Sequence, residues 1–194
     1  MKIFFDTEFT GLHKDTTLIS IGCVSEDGRK FYAEFNDYDR THCDEWINSH
    51  VLENLWFKNP EKQNYCRVPV DGESSDSILK NYSVGLLGDK KTISNEFNTW
   101  LTQFDKVEFV SDCSHYDFVL LIDLFGTAFD LPKQISPVCH DINQDIAKYF
   151  GITDAEAFDI SREKIIGRGG SIDKKHNALF DAEVIRDIYN LIFE

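Results

Sequence analysis

The chain has 194 residues, 42% hydrophobic and 13% aromatic, which is enough for one sizeable core and too apolar for a disordered segment. Its formal net charge of −14 excludes a protein that coats nucleic acid by general electrostatic attraction, because such binding rests on clustered Lys and Arg. A carboxylate site loaded with a divalent cation can still receive phosphate, so nucleic acid survives as a substrate. Five scattered cysteines (Cys23, Cys43, Cys66, Cys113, Cys139) without a C-x-x-C point to reduced thiols, not to a disulfide framework or a zinc knuckle. No apolar run approaches the ~18 residues of a membrane span. Between Lys2 and Asp6 stand only Ile3, Phe4 and Phe5, too few for a signal-peptide core. The expectation is one domain over 1–194, cytoplasmic and without membrane contact.

Lys2-Ile3-Phe4-Phe5 reads as a strand, and Asp6 and Glu8 follow at its end. Residues i and i+2 of a strand share a face, so both carboxylates point one way. Held that close they repel at neutral pH unless a cation or a proton intervenes, and hard oxygen ligands suit Mg²⁺ or Mn²⁺. A strand that merely ends in the polar turn Thr10-Gly11 would show the same pair, so the reading needs partners elsewhere.

Residues 18–24 and 30–35, joined by the turn signal Glu26-Asp27-Gly28, predict a hairpin. Trp46, Ile47, His50, Val51, Asn54 and Leu55 recur at spacings of three and four, predicting an amphipathic helix over 44–57. Residues 58–91 are polar and carry Pro60, Pro69, Gly72, Gly85 and Gly88, which predicts a long loop with a short helix near 78–84. Ser94 is expected to cap a helix whose buried face carries Phe97, Trp100, Leu101 and Phe104. A strand over 107–110 and a helix over 115–125 follow, the latter with Phe118, Leu121, Ile122 and Phe125 on one face. Asp141 can cap a helix that runs to Phe150 and ends at Gly151, and a further short helix fits 154–161. The basic, glycine-containing stretch 161–175 reads as a mobile loop, either a solvated connection or a lid that grips phosphate. The last helix is expected over 177–193. Strands that open the chain, followed by helices alternating with strands, predict a three-layer α/β domain with a mixed sheet.

Two later sites give the first carboxylates company. In Val110-Ser111-Asp112-Cys113-Ser114-His115-Tyr116-Asp117 a strand runs into a helix, and either Asp112 or Asp117 can face the metals. In His176-Asn177-Ala178-Leu179-Phe180-Asp181-Ala182 the His and the Asp share a site only if His176 lies at or before the first turn of the helix. Ala178 and Ala182 would let that helix lie close against the sheet and bring Asp181 near Asp6 and Glu8.

The set Asp6-x-Glu8-x-Thr10-Gly11-Leu12, Tyr116-Asp117 and His176-x-Ala178-x-x-Asp181, in that order, resembles the DEDDh family of 3′-to-5′ exonucleases. The opening with its long hairpin is most similar to a small bacterial branch of 3′-to-5′ exoribonucleases. The resemblance spans residues 6–181. It implies an RNase H-like, three-layer α/β fold with five strands ordered 3-2-1-4-5, the second antiparallel to the rest. It also implies two divalent cations, Mg²⁺ or Mn²⁺, held by Asp6, Glu8, Asp117 and Asp181, with Asp6 bridging and His176 as general base. Phe9, Thr10 and Leu12 would line the pocket of the 3′-terminal nucleotide. The implied partner is the single-stranded 3′ end of RNA, or of DNA, cleaved to nucleoside 5′-monophosphates, and a homodimer is implied as well. Trp46, Trp56 or Tyr65 would add base stacking, although helically spaced aromatics more often belong to a core. The chain departs from the family pattern at Asp112, where many relatives carry His or Asn, at His115, often Asn, and at Phe9, often Thr.

Three other readings compete with this one. An RNase H-type endonuclease would share the fold, but His176 in its H-x-x-x-x-D setting favours the exonuclease. A phosphohydrolase built on His140-Asp141 needs further His ligands, and that pair reads more simply as a helix start. A non-catalytic nucleic-acid-binding module predicts loss of a carboxylate, and none is lost.

Overall fold

A computed structural model describes residues 1–57, 83–167 and 175–194, together with the backbone of 66–69 and of 82. Seven strands form one mixed sheet: β1 (Lys2–Phe9), β2 (Leu18–Ser25), β3 (Lys30–Phe35), β4 (Cys66–Pro69), β5 (Tyr82–Gly88), β6 (Glu108–Ser111) and β7 (His140–Asp141). Their order is β4-β5-β3-β2-β1-β6-β7. The stretch β3-β2-β1-β6-β7 is the expected 3-2-1-4-5 arrangement, with β2 antiparallel to both neighbours and β6 parallel to β1 and β7.

Alternation along β1 sends its side chains to two cores. Ile3 and Phe5 join the cluster that buries Phe97, Trp100 and Phe109, and Phe4 joins the one around Ile142, Ile146 and Ile185. The first cluster is covered by α2 (Lys90–Leu101) and α3 (Ser114–Phe125). The second lies under α4 (Ile142–Phe150) and α7 (Ala178–Phe193). The described residues also form three short α-helices: α1 (Glu45–His50), α5 (Asp154–Asp159) and α6 (Arg162–Ile165).

Several expectations are revised. The region read as a long loop contributes β5, which pairs parallel with β3, and β4 beyond it. Residues 82–84 of the expected 78–84 helix are therefore strand, and 78–81 lie outside the described residues. Val84, Leu86 and Leu87 are buried there, so tertiary burial overrode the turn signal of Gly85 and Gly88. The 44–57 helix is shorter: α1 stops at His50 and a 3₁₀ turn over Leu52–Asn54 follows. The helix expected from Ser94 starts at Lys90, because Asp89 caps it by accepting from Thr92 N at 2.7 Å. Helix α3 buries Leu121 as expected, with Phe118 and Phe125 partly buried against the same core, and also buries Asp117, Leu120 and Leu124. The stretch 161–167 contains α6, and 168–174 lie outside the described residues. Asp141 and Gly151 bound α4 as expected, Gly151 in the left-handed conformation at φ 69°.

Candidate active site

The site forms where β1 outruns its neighbour. The pairing of β1 with β6 ends at Phe4↔Val110, so from Asp6 onward no strand of the described residues lies beside that edge of β1. The first turns of α3 occupy the gap. There Asp117 is fully buried, accepts from Thr7 Oγ1 at 2.6 Å and from Ser111 Oγ, and takes the backbone N–H of Thr7 that the sheet leaves free. On the other edge, the β1–β2 register shifts between Glu8 and Phe9, a bulge that re-aims the end of the strand.

Asp181 comes from α7, and the distance between that helix and the sheet depends on Gly22, the register partner of Asp6. A Cβ on Gly22 would stand 2.2 Å from the carbonyl carbon of Ala178 and 2.2 Å from Leu179 N. Only a hydrogen in that place lets the first turn of α7 rest on β2 and bring Asp181 over Asp6 and Glu8. Asn177 caps α7, accepting from Phe180 N, and His176 immediately before it stands at φ 64°. His176 is the only non-glycine residue with positive φ among those described. Its backbone N–H donates to Asp181 Oδ2 at 2.9 Å.

The structure thus brings the expected residues into two adjoining groups. Ligand atoms of Glu8, His176 and Asp181 lie within 4.8 Å of one another, and so do those of Asp6, Asp112 and Asp117. Asp112, which the sequence left open, stands in the second group with Arg162 Nε 2.7 Å from its Oδ2. Arg162 is held in turn by the carbonyls of Ala157 and Ile160, at 2.7 and 2.9 Å, and by Asn143 Oδ1. Neither Arg162 nor Thr7 stands out in the sequence: Arg162 is submerged in a basic stretch, and Thr7 alternates to the opposite face of β1 from Asp6 and Glu8.

Of these five carboxylates only Asp112 has an ion-pair partner among the described residues. The consequence is electrostatic. Burial, then the charges of Asp117, Glu8 and Asp181, drives Asp6 well above the ordinary carboxylate range. Glu8 is raised for the same reasons, with Asp181 its main neighbour. Burial lifts Asp117 to about 7 in spite of its hydroxyl donors, and Asp181 to about 8. His176 moves the other way, to about 4, through burial and then the charges of Lys175 and His50. All-oxygen donors that must otherwise keep protons, with one imidazole beside them, fit hard divalent cations.

A cleft of about 720 Å³ opens over these groups. Phe9 and Leu12 line it, Leu12 75% exposed and Phe9 stacked on Tyr116 at 5.2 Å. Thr10, expected beside them, is instead fully buried. It spends its hydroxyl on Thr16 and Thr17, at 3.3 Å each, which ties the turn after β1. Trp46 is 49% exposed, lines the cleft and meets the His176 ring edge-on at 4.9 Å. Trp56 packs on Tyr32 instead, and Tyr65 lies outside the described residues. His140 is bonded to Asp145 and Asp141 caps α4, so that pair serves the helix start. Among the described residues no helix is long and apolar enough to cross a membrane.

Comparison with known proteins gives three findings. The family model described as the 3′-5′ exoribonuclease Rv2179c-like domain matches residues 1–193. Two curated proteins of Mycobacterium tuberculosis, 3′-5′ exoribonuclease Rv2179c and 3′-5′ exoribonuclease MT2234.1, are each 44% identical to the chain over 55 residues. That stretch is 28% of this chain and 33% of either relative, so the match spans about a third of their length. The nuclease domain of 3′hExo, described as a DEDDh family member and solved bound to rAMP, aligns with a TM-score of 0.61 at 12% identity. The alignment covers 97% of this chain and 88% of that one, which shows a shared, RNase H-like fold.

Proposed function

Because the chain belongs to the family of Rv2179c-like 3′-5′ exoribonuclease domains, we propose that it is a metal-dependent 3′-to-5′ exoribonuclease. It hydrolyses terminal phosphodiesters of single-stranded RNA and releases nucleoside 5′-monophosphates, residues 1–194 acting as one domain. One observation carries the reading: Asp6, Glu8, Asp117 and Asp181 converge without a cationic partner among the described residues, and His176 stands beside them.

Asp6, Glu8, Asp117 and Asp181 would hold two divalent cations, Glu8 and Asp181 on one side of the site, Asp117 on the other and Asp6 shared between them. Bound Mg²⁺ or Mn²⁺ supplies activation of water and neutralises charge on the phosphate. His176 takes the proton of the attacking water; held below its ordinary range, the imidazole is neutral and has a free lone pair at physiological pH. Phe9 and Leu12, on the wall next to Glu8, hold the 3′-terminal nucleotide in place. Thr10 supports them from behind by fixing the turn. The same resemblance supports a homodimer, which light scattering tests.

The deciding experiment incubates 5′-labelled single-stranded RNA and DNA of one sequence with the protein and Mg²⁺, Mn²⁺ or EDTA. A metal-dependent ladder that shortens from the 3′ end of RNA, faster than of DNA, is expected. Cleavage of a circular substrate, or inertness with both metals, overturns the reading.

A further inference from the structure

His176 adopts a left-handed backbone that a side chain disfavours, and such a conformation persists only where its surroundings over-determine it. The surroundings here are specific. On the N-terminal side of His176, the carbonyl of Lys175 accepts from Asn54 Nδ2 at 2.8 Å. On the C-terminal side, Asn177 Nδ2 donates to the carbonyl of Asn54 at 3.0 Å. A single residue, 121 positions earlier in the chain than Lys175, therefore grips both peptide neighbours of His176.

Asn54 is itself anchored. Its Nδ2 also donates to the carbonyl of His50 at 2.6 Å, closing the 3₁₀ turn onto α1. Asn177 is buried, and its amide also donates to Tyr32 Oη at 3.2 Å, which donates to Glu34 Oε1 at 2.7 Å. Glu34 accepts from the backbone N–H of Trp56 and of Phe57, just beyond the 3₁₀ turn. The same short segment carries Trp46, whose ring stacks on His50 at 4.9 Å and abuts the His176 imidazole edge-on. Closing a local turn explains only the bond to His50. The bonds to Lys175 and from Asn177 reach across the fold to the two residues that flank His176.

We propose that Asn54 is a positioning residue for His176: it holds the left-handed turn, and with it the imidazole against Trp46 and beside Glu8 and Asp181. This rests on the reading of His176 as general base. Without the Asn54 amide the carbonyl of Lys175 is released while the bond from Asn177 to the Asn54 backbone stays, and held from one side only the turn relaxes to ordinary negative φ and the imidazole leaves the ring of Trp46. The substrate wall formed by Phe9 and Leu12 is untouched, so turnover suffers and substrate binding does not.

The test is a double-mutant cycle of Asn54→Ala and His176→Ala, with kcat and KM measured on single-stranded RNA at saturating Mg²⁺. Asn54→Ala alone should lower kcat by roughly 10- to 100-fold, the scale of a misplacement of about 1 Å, with KM changed by less than about twofold. In the His176→Ala background, Asn54→Ala should change kcat by less than about twofold, because both act through one group. A merely structural defect would multiply with the loss of His176 instead, and that outcome overturns the proposal. A second readout needs no activity. In the metal-free protein the His176 Cε1–H resonance should carry a ring-current shift from Trp46 that is lost in Trp46→Leu and in Asn54→Ala alike. Its persistence in Asn54→Ala overturns the proposal. If Asn54→Ala fails to fold, Asn54→Asp, which keeps the shape and removes the donor, goes through both assays. A His176→Ala protein with wild-type kcat refutes the general-base reading alone, and the resonance still decides whether Asn54 positions the ring.

Discussion

Replacing Gly22 with Ala tests whether the approach of α7 to the sheet sets the geometry of the site. Gly22 lies beside Asp6 in the β1–β2 register, and an added Cβ would stand 2.2 Å from backbone atoms of both Ala178 and Leu179. Carbon atoms pack at about 3.5 Å or more, so the helix must retreat by roughly 1.3 Å. No flexible side chain can absorb the clash, since every atom met is main chain at the start of α7. Overpacking of this kind costs about 1–3 kcal/mol, equivalent to roughly 2–12 °C in melting temperature for a chain of this size. The retreat carries Asp181 and His176 away from Asp6 and Glu8, and a displacement near 1 Å lowers turnover by about 100-fold. Urea unfolding, the rate of 3′-end shortening and Mn²⁺ affinity by calorimetry should all fall together. Gly85→Ala is the control, because a Cβ there would meet only Phe57 Cζ at 3.5 Å, an ordinary contact. If Gly22→Ala keeps both its unfolding midpoint and its rate, close approach of α7 is not what positions Asp181.

Asp6→Asn should abolish turnover and weaken metal binding, yet raise the melting temperature of the metal-free protein at pH 8, because an amide is spared the burial and acidic neighbours that force Asp6 to keep a proton; a lower melting temperature refutes that argument. The pH dependence has a definite sign. Asp117 and Asp181 keep their protons to about pH 7 and 8 in the folded, metal-free chain against 3.8 when unfolded, so the folded state binds more protons. Stability without metal should therefore fall as pH rises from 7 to 8.5, where His176 is largely neutral in both states. The slope is up to ~1.4 kcal/mol per pH unit per retained proton, and saturating Mg²⁺ should flatten it in thermal melts. Arg162→Met should cost more stability than Asp112→Asn, because it strands the Asp112 carboxylate among like charges; breaking such a pair from one side costs about 3–5 kcal/mol when buried. Equal losses in urea unfolding would show that Asp112 does not depend on its arginine.

Much of this was legible in the residues. Period-2 alternation set Asp6 and Glu8 on one face of β1, Asp141 and Gly151 bounded α4, and the apolar runs of β2 and β3 announced their hairpin, because each signal is local. The strand over Tyr82–Gly88 was hidden because its glycines read as turns, and only pairing with β3 and the burial of Val84 and Leu86 make it a strand. Sequence alone determined which acids and which histidine the chain carries, and in what order along it. Tertiary structure decided which of them meet. It ended β6 early so that Asp117 could take the open edge of β1, and it placed Asp112 opposite Arg162 across fifty residues. It also bent His176 into a left-handed turn through Asn54. Contacts between residues so far apart in the chain depend on sheet order and helix approach, which leave no periodic mark in a single sequence.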